Sequence, residues 1–289
     1  MARLKDRWHD LCKLVEKDDG LPTRNDVGDW TEEKLWFWNR YIDITTRAMV
    51  GHPKWPSGIV YVDLFSGPGI CTCRDTGKRI PGSPLIAAHA PKPFFKIIVC
   101  EQDTALAEAC EKRLFSSETE SICRVFHADC NKVVKEIASE IPDRTLTLAF
   151  IDPTGLHAAF DTIRILAARG NVDLLVLFAD GHDIVRNVKQ YFQQGNRSKL
   201  DLVMGPDSRW REAWEALPNR TSLATRRLFA DLYTSQLAKH LGYQVFGEKV
   251  MKAGNTPIYR LIYASKHERG LEFWDKITKK DPSGQKRLF

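Results

Sequence analysis

A chain of 289 residues, 43% of them hydrophobic, is long enough to bury one large core, alone or with an appended segment. The net charge of +6 points to an anionic partner, RNA or DNA, although 28% charged residues of both signs also suit an ordinary exposed surface. No apolar run is long enough to span a bilayer and Met1-Ala2-Arg3-Leu4-Lys5-Asp6 carries no signal-peptide core, so a cytoplasmic protein with no membrane partner is expected, its seven cysteines reduced.

Leu4, Trp8, Leu11, Cys12 and Val15 recur at helical spacing and predict a first helix. A turn-rich piece follows at Asp18-Asp19-Gly20-Leu21-Pro22. Asp29, three residues before Glu32, is a candidate capping box for a helix running to Met49. Trp36, Phe37, Trp38 and Tyr41 give that helix an aromatic density that reads as packing on a core before it reads as a recognition surface. From Ile59 onward strands and helices alternate, which predicts a parallel sheet with helices on both faces. Strands are expected over 59–63, 96–101, 124–129, 146–152 and 173–180, and helices over 84–90, 104–115, 131–141, 160–169 and 184–192. Gly195, Gly205, Pro206 and Pro218 break this rhythm, so 193–219 is expected to be an insertion holding a short helix at 210–216. A long helix over 222–241 resumes the fold. Strands over 243–251 and 257–265, joined by Lys252-Ala253-Gly254-Asn255-Thr256, predict an antiparallel hairpin. A last helix over 270–278 precedes a basic tail with Lys279, Lys280, Lys286 and Arg287.

Five alternating strands closed by an antiparallel hairpin are the seven-stranded, mostly parallel, Rossmann-like α/β sheet of class I methyltransferases. A dehydrogenase sheet would close with a parallel sixth strand instead. The expected organisation is a helical N-terminal extension packed on the core (1–57), a methyltransferase-like domain (58–265) with its insertion near 193–219, and a C-terminal helix with a basic tail (266–289).

The strand ends carry the chemistry. The first strand runs into Asp63-Leu64-Phe65-Ser66-Gly67-Pro68-Gly69, a tight turn whose glycines let backbone N–H groups approach a ligand closely. Asp63 and the turn Phe65, Ser66, Gly67, Pro68 and Gly69 suit the methionine end of S-adenosylmethionine. Glu101, followed by Gln102, suits the ribose hydroxyls, and Asp129, followed by Cys130, suits the adenine amino group. Asp129 also reads as a plain helix N-cap. Asp152 and Pro153 end the fourth strand, where the transferred group would sit; they are the candidate catalytic residues, Asp152 orienting the acceptor as well as facing the cofactor, with Asp180 or Asp183 in the same cleft. The Asp152-Pro153-Thr154-Gly155 run differs from the Asp-Pro-Pro-Tyr type motif of amino-group methyltransferases, because the second proline and the stacking ring are replaced. His157 just beyond reads either as a general base or as a surface residue.

Cys71 and Cys73 lie near Arg74, Lys78 and Arg79, a basic setting that would make a thiol reactive. A Cys-x-Cys pair alone is not a zinc signature, and no resident metal is expected. Arg186, Lys189, Arg197, Lys199, Arg209, Arg211, Arg226 and Arg227, interleaved with Trp210 and Trp214, could stack bases and hold phosphates; solvated charges on an amphipathic helix are the competing account. A Mg²⁺ nuclease built on Asp63, Asp129 and Asp152 would leave the glycine turn without a role.

Three runs carry a resemblance to a known family: the turn through Gly69, then Gly82-Ser83-Pro84-Leu85, then Phe150-Ile151-Asp152-Pro153-Thr154-Gly155. Leu261-Ile262-Tyr263-Ala264-Ser265-Lys266-His267 and Gly270-Leu271-Glu272-Phe273-Trp274 complete it. In order and content the chain resembles the three-Cys-motif partner protein family. That resemblance implies a methyltransferase-like fold and a neighbour protein, of radical-SAM iron–sulfur type, that bears the three cysteines. Two functions follow as expectations: a methyltransferase using S-adenosylmethionine on a nucleic acid or another large anionic substrate, or a partner protein that kept the fold and lost catalysis.

Overall fold

Near-continuous apolar runs form the middle of a sheet that is covered on both faces, as parallel strands require. The computed structural model describes residues 6–279; Leu4, Lys280, Lys286 and Arg287, with the rest of the two termini, lie outside the described residues. In chain order the elements are α1 (Trp8–Leu14), β1 (Arg24–Val27), α2 (Asp29–Met49), β2 (Ile59–Asp63), β3 (Ile70–Cys73), β4 (Arg79–Pro81), α3 (Ser83–Ala88), β5 (Lys96–Glu101), α4 (Thr104–Ser116), β6 (Cys123–His127) and α5 (Cys130–Ser139). The second half holds β7 (Leu146–Ile151), α6 (Phe160–Ala167), β8 (Asn171–Phe178), α7 (Val185–Gln193), α8 (Lys199–Met204), α9 (Trp210–Glu215), α10 (Ser222–Leu241), β9 (Val245–Ala253), β10 (Thr256–Ser265) and α11 (Glu268–Thr278).

The large sheet has the order β6-β5-β2-β7-β8-β10-β9. Its first five strands are parallel, and β10 runs antiparallel to both β8 and β9. This is the class I methyltransferase fold. Every residue of β2 and β7 is buried. Chain order reverses between these two strands, so a crevice opens there, outside their carboxyl ends.

Helix α2 lies across the sheet. Trp38 stacks on Phe150 of β7 at 4.8 Å and donates its indole N–H to the Tyr61 hydroxyl of β2. Tyr41 donates to Asp173 of β8 and meets the Tyr263 ring of β10. Its opposite side is covered too: Trp36 donates to Asp6, and Lys249 of β9 sits over Phe37. A helix covered on both sides can be apolar nearly all round, which accounts for its aromatic density. The expected capping box does not form. Gly28 is the N-cap and Asp29 is already helical, so neither Asp29 nor Glu32 reaches back to close it; Glu32 instead accepts from Trp8 and Lys78.

The stretch after the glycine turn is a hairpin, β3–β4, and β1 adds to β3 in parallel to make a second, three-stranded sheet. Its strands are three or four residues long, too short for the alternation of apolar and polar residues to announce them. In the insertion, Trp210 and Trp214 are buried against Phe192 and Phe229. Arg211 pairs with Asp201 and Arg226 with Asp180. These four residues hold the insertion and α10 to the domain, so they are not a nucleic-acid surface. No helix among the described residues is long and apolar enough to cross a membrane.

Candidate active site

The backbone brace of the glycine turn comes first, because it fixes everything the turn presents. Gly67 and Gly69 both adopt positive φ, +58° and +83°, where a side chain would be strained. Gly82 donates to the Gly69 carbonyl at 2.7 Å, and a Cβ at Gly82 would stand 2.9 Å from that same carbonyl. A glycine is therefore required at position 82. Arg113 of α4 donates to the Pro68 carbonyl and also to the Pro22 carbonyl and Asp19, tying the N-terminal loop to the turn.

Asp63 is fully buried and does not line the cavity. It accepts hydrogen bonds from the Ser83 hydroxyl at 2.6 Å, the Phe65 N–H at 3.1 Å and the Tyr61 hydroxyl at 3.1 Å. Its place is beneath the turn, as a brace, rather than against a ligand. Burial pushes its carboxyl up to about 7, against the pull of those three donors. Below the ordinary carboxylate value both folded and unfolded chains are protonated here. Between about 4 and 7 only the folded chain keeps the proton, so this group's contribution to stability falls as pH rises and is gone above about 7. In urea unfolding, Asp63→Asn is expected to lose less stability than the wild type between pH 4 and 7.5, by roughly 4 kcal/mol at most. Parallel pH profiles for the two proteins would remove the assignment.

A cavity of about 1140 Å³ opens over the carboxyl ends of β2, β5 and β7. Phe65, Ser66, Gly67, Pro68, Glu101, Gln102, Asp129, Cys130, Asp152 and Pro153 all line it. Gly69, like Asp63, stands behind that wall. Glu101 accepts from the Gly67 N–H and the Asp103 N–H, both at 2.9 Å, so the acid at the end of β5 is aimed at the turn. Asp129 is the N-cap of α5, accepting from Asn131, and it lines the cavity as well; the two readings of this acid coexist. Asn131 bonds to the His157 carbonyl, the Ala159 N–H and the Thr162 hydroxyl, fastening the loop after β7 to that side.

The other half of the cavity sets beside Asp152 several residues that no local motif announced. Asp152 is paired with Lys34 from the start of α2. Burial raises the Asp152 carboxyl, and the Lys34 ammonium works against that rise. Lys34 is four and seven residues before Trp38 and Tyr41, on the helix face that covers the sheet, and is itself 4% exposed. A lysine on an apolar helix stripe is the signal that could have marked it. Trp30, Tyr259 and His182 form a column of rings, with Trp30 to Tyr259 at 4.7 Å and His182 to Tyr259 at 5.4 Å, all on the cavity wall. Asp152-Pro153-Thr154-Gly155 itself carries no ring; the rings on this wall come from the N-terminal segment, β10 and the turn after β8. Arg24, Arg186 and Lys252 stand exposed on the same wall. His157 also lines it and is exposed.

Several expected residues go elsewhere. Asp180 has no exposed surface and binds Arg226 and Arg260, each at 3.0 Å, so it does not face the cleft. Asp183 accepts from the Tyr191 hydroxyl and Asn187. Cys71 is not activated: burial pushes its thiol up to about 11, and Cys73 is raised as well. The nearby cations are occupied, Lys78 by Glu32 and Arg79 by Asp18 and Asp19. Among the described residues no three His, Cys, Asp or Glu side chains converge on a metal-sized site, so Asp63, Asp129 and Asp152 do not form a nuclease centre.

No protein-family model and no curated protein matches the chain. Similar solved structures exist. The O-methyltransferase TomG from Streptomyces achromogenes, in complex with SAM, is 10% identical, with 92% of this chain and 100% of that one covered at a TM-score of 0.41. A Klebsiella pneumoniae structure provisionally described as an O-methyltransferase is 9% identical, covering 91% and 98% at 0.44. A Legionella pneumophila protein of the DUF519 family model is 12% identical, covering 84% and 92% at 0.46.

Proposed function

We propose that the chain binds S-adenosylmethionine in the glycine-turn half of its cavity and transfers the methyl group to a nucleic acid or another large anionic acceptor in the other half. The observation that carries this reading is the convergence of four strand-end features on one cavity wall: the turn at Phe65–Pro68, Glu101, Asp129 and Asp152. They fit the cofactor in chemistry as well as order. A Cβ at Gly67 would meet nothing within 4 Å, so the turn stands bare beside the cavity it lines. Glu101 offers carboxylate oxygens for a vicinal diol, and Asp129 with Cys130 edges the space next to Leu106 and Ala128.

When bound, the cofactor supplies a methyl group on a sulfonium, an electrophile that needs alignment more than activation. The chain's own part is to hold donor and acceptor in line and to shape the charge between them. Asp152 follows β7, whose neighbour β2 runs into the glycine turn, and Lys34 pairs with it on the cavity wall. Arg24, Arg186 and Lys252 put positive charge on the acceptor side, which favours an anionic substrate. Isothermal titration with S-adenosylmethionine and S-adenosylhomocysteine tests the reading, with micromolar binding of both expected. Heat signals absent for both would sink it. The three-cysteine partner is proposed on the sequence motifs alone; co-expression of the two proteins should yield a complex, and separate elution in gel filtration would end that idea.

A further inference from the structure

The wall of the cavity carries an ion pair between Lys34 and Asp152. Lys34 is 4% exposed, lies on the cavity wall, and has Asp152 as its carboxylate partner and the Trp30 ring 4.9 Å from its Nζ. One helical turn earlier, Thr31 lines the same wall. Its hydroxyl is buried, 3% of the residue being exposed, and has no hydrogen-bond partner among the described residues. An unpartnered buried hydroxyl one helical turn from Lys34 is costly unless a ligand completes it. Lys34 has three N–H donors, so its bond to Asp152 leaves donors for a ligand atom.

Resting on the methyltransferase reading above, we infer that Lys34 and Asp152 are a catalytic pair for an oxygen acceptor, a hydroxyl group that Lys34 and Thr31 hold and Asp152 deprotonates. A nitrogen acceptor gains positive charge as its lone pair takes up the methyl group, and an ammonium at its side opposes that. A hydroxyl loses its proton and develops negative charge, which the same ammonium stabilises. The acceptor O–H bond breaks and its proton passes to the Asp152 carboxylate, then to solvent. The oxygen forms the new O–CH₃ bond, and the electron pair of the S–CH₃ bond stays on sulfur, leaving a neutral thioether. In a nucleic acid the hydroxyl beside the stacked base is the ribose 2′-OH, which RNA has and DNA lacks. The ring column of Trp30, Tyr259 and His182 offers a stacking surface for that base.

The charges can be tested without turnover. The ratio of affinities for cationic S-adenosylmethionine and neutral S-adenosylhomocysteine, measured by titration at pH 8, reports the charge facing the sulfur. Lys34→Met is expected to raise this ratio about tenfold and Asp152→Asn to lower it about tenfold, while Lys34→Arg leaves it within about twofold. The neutral thioether is the internal reference, since a variant that still binds it is folded. If both ligands bind the wild type and all three variants keep the wild-type ratio, the pair does not face the transferred methyl and this inference fails, with the cofactor assignment intact. If the wild type binds neither ligand, the cofactor assignment itself fails. With a ¹³C-methyl donor and bulk RNA, label on ribose oxygens is expected and bulk DNA should stay unlabelled. Label on base atoms, label in DNA, or none in RNA overturns the oxygen acceptor.

Discussion

Glu101→Ala is expected to weaken binding of S-adenosylhomocysteine by about 10- to 100-fold, the effect of removing one or two charge-assisted hydrogen bonds. The carboxylate does two jobs at once. It accepts from Gly67 and from Asp103, so it fixes the distance between the glycine turn and the end of β5. It also lines the cavity at the position where a vicinal diol would bind. Glu101→Gln removes the charge and keeps only one of the two backbone bonds, since one carboxylate oxygen takes the Gly67 N–H and the other the Asp103 N–H. The glutamine variant should melt between the wild type and Glu101→Ala and bind at least about tenfold more weakly than the wild type. Titration of all three proteins reads the result. Wild-type affinity in Glu101→Ala would take the residue out of the site and leave it as a loop brace.

Most of the sheet was legible because its signal is local. Five apolar runs ending in acids gave β2, β5, β6, β7 and β8 to within a few residues, and the Lys252–Thr256 connection announced the hairpin of β9 and β10. The glycine-turn half of the candidate site was legible for the same reason, since each strand end contributes one short stretch of chain to the cavity wall. The opposite half was legible only at Asp152, Pro153 and His157. Lys34 and Asp152 are 118 residues apart, and Trp30 meets Tyr259 only because α2 lies across the sheet and β10 is inserted beside β8. A reading of spacing cannot place a helix over a particular strand. Cys71 shows the converse error. Its basic neighbours in sequence suggested a reactive thiol, but Arg79 turns to Asp18 and Asp19, and burial decides the outcome. The two tryptophans of the insertion could be read as stacking platforms or as part of an ordinary amphipathic helix, and their packing against Phe192 makes them core.

Asp180→Ala is expected to cost about 3–5 kcal/mol, because it leaves the Arg226 guanidinium buried without its carboxylate and takes one of two carboxylates from Arg260. The carboxylate has no exposed surface and bridges Arg226 of α10 to Arg260 of β10. Burial raises its carboxyl and the two arginines oppose that rise. Arg260 keeps Glu248 as a second partner, but the Arg226 Nε already lacks one, so Arg226 is the group left stranded. In a protein of this size the loss corresponds to a fall in Tm of the order of 10 °C by calorimetry. Asp180→Ala with Arg226→Met should recover part of it, since an apolar side chain there needs no counter-charge. The effect reaches the site as well. Asp180 opens a single wide turn, Asp180–Ile184, in which Ile184 bonds back to Ala179, and Gly181 fits against the Pro257 carbonyl with no room for a Cβ. That turn carries His182 onto Tyr259. Well below the melting temperature, Asp180→Ala should therefore disturb the ring column and leave the Glu101 side untouched. Thioether affinity at 15 °C should stay near wild type while RNA binding weakens, and a loss of both in equal measure would mean that the two halves of the cavity do not respond separately.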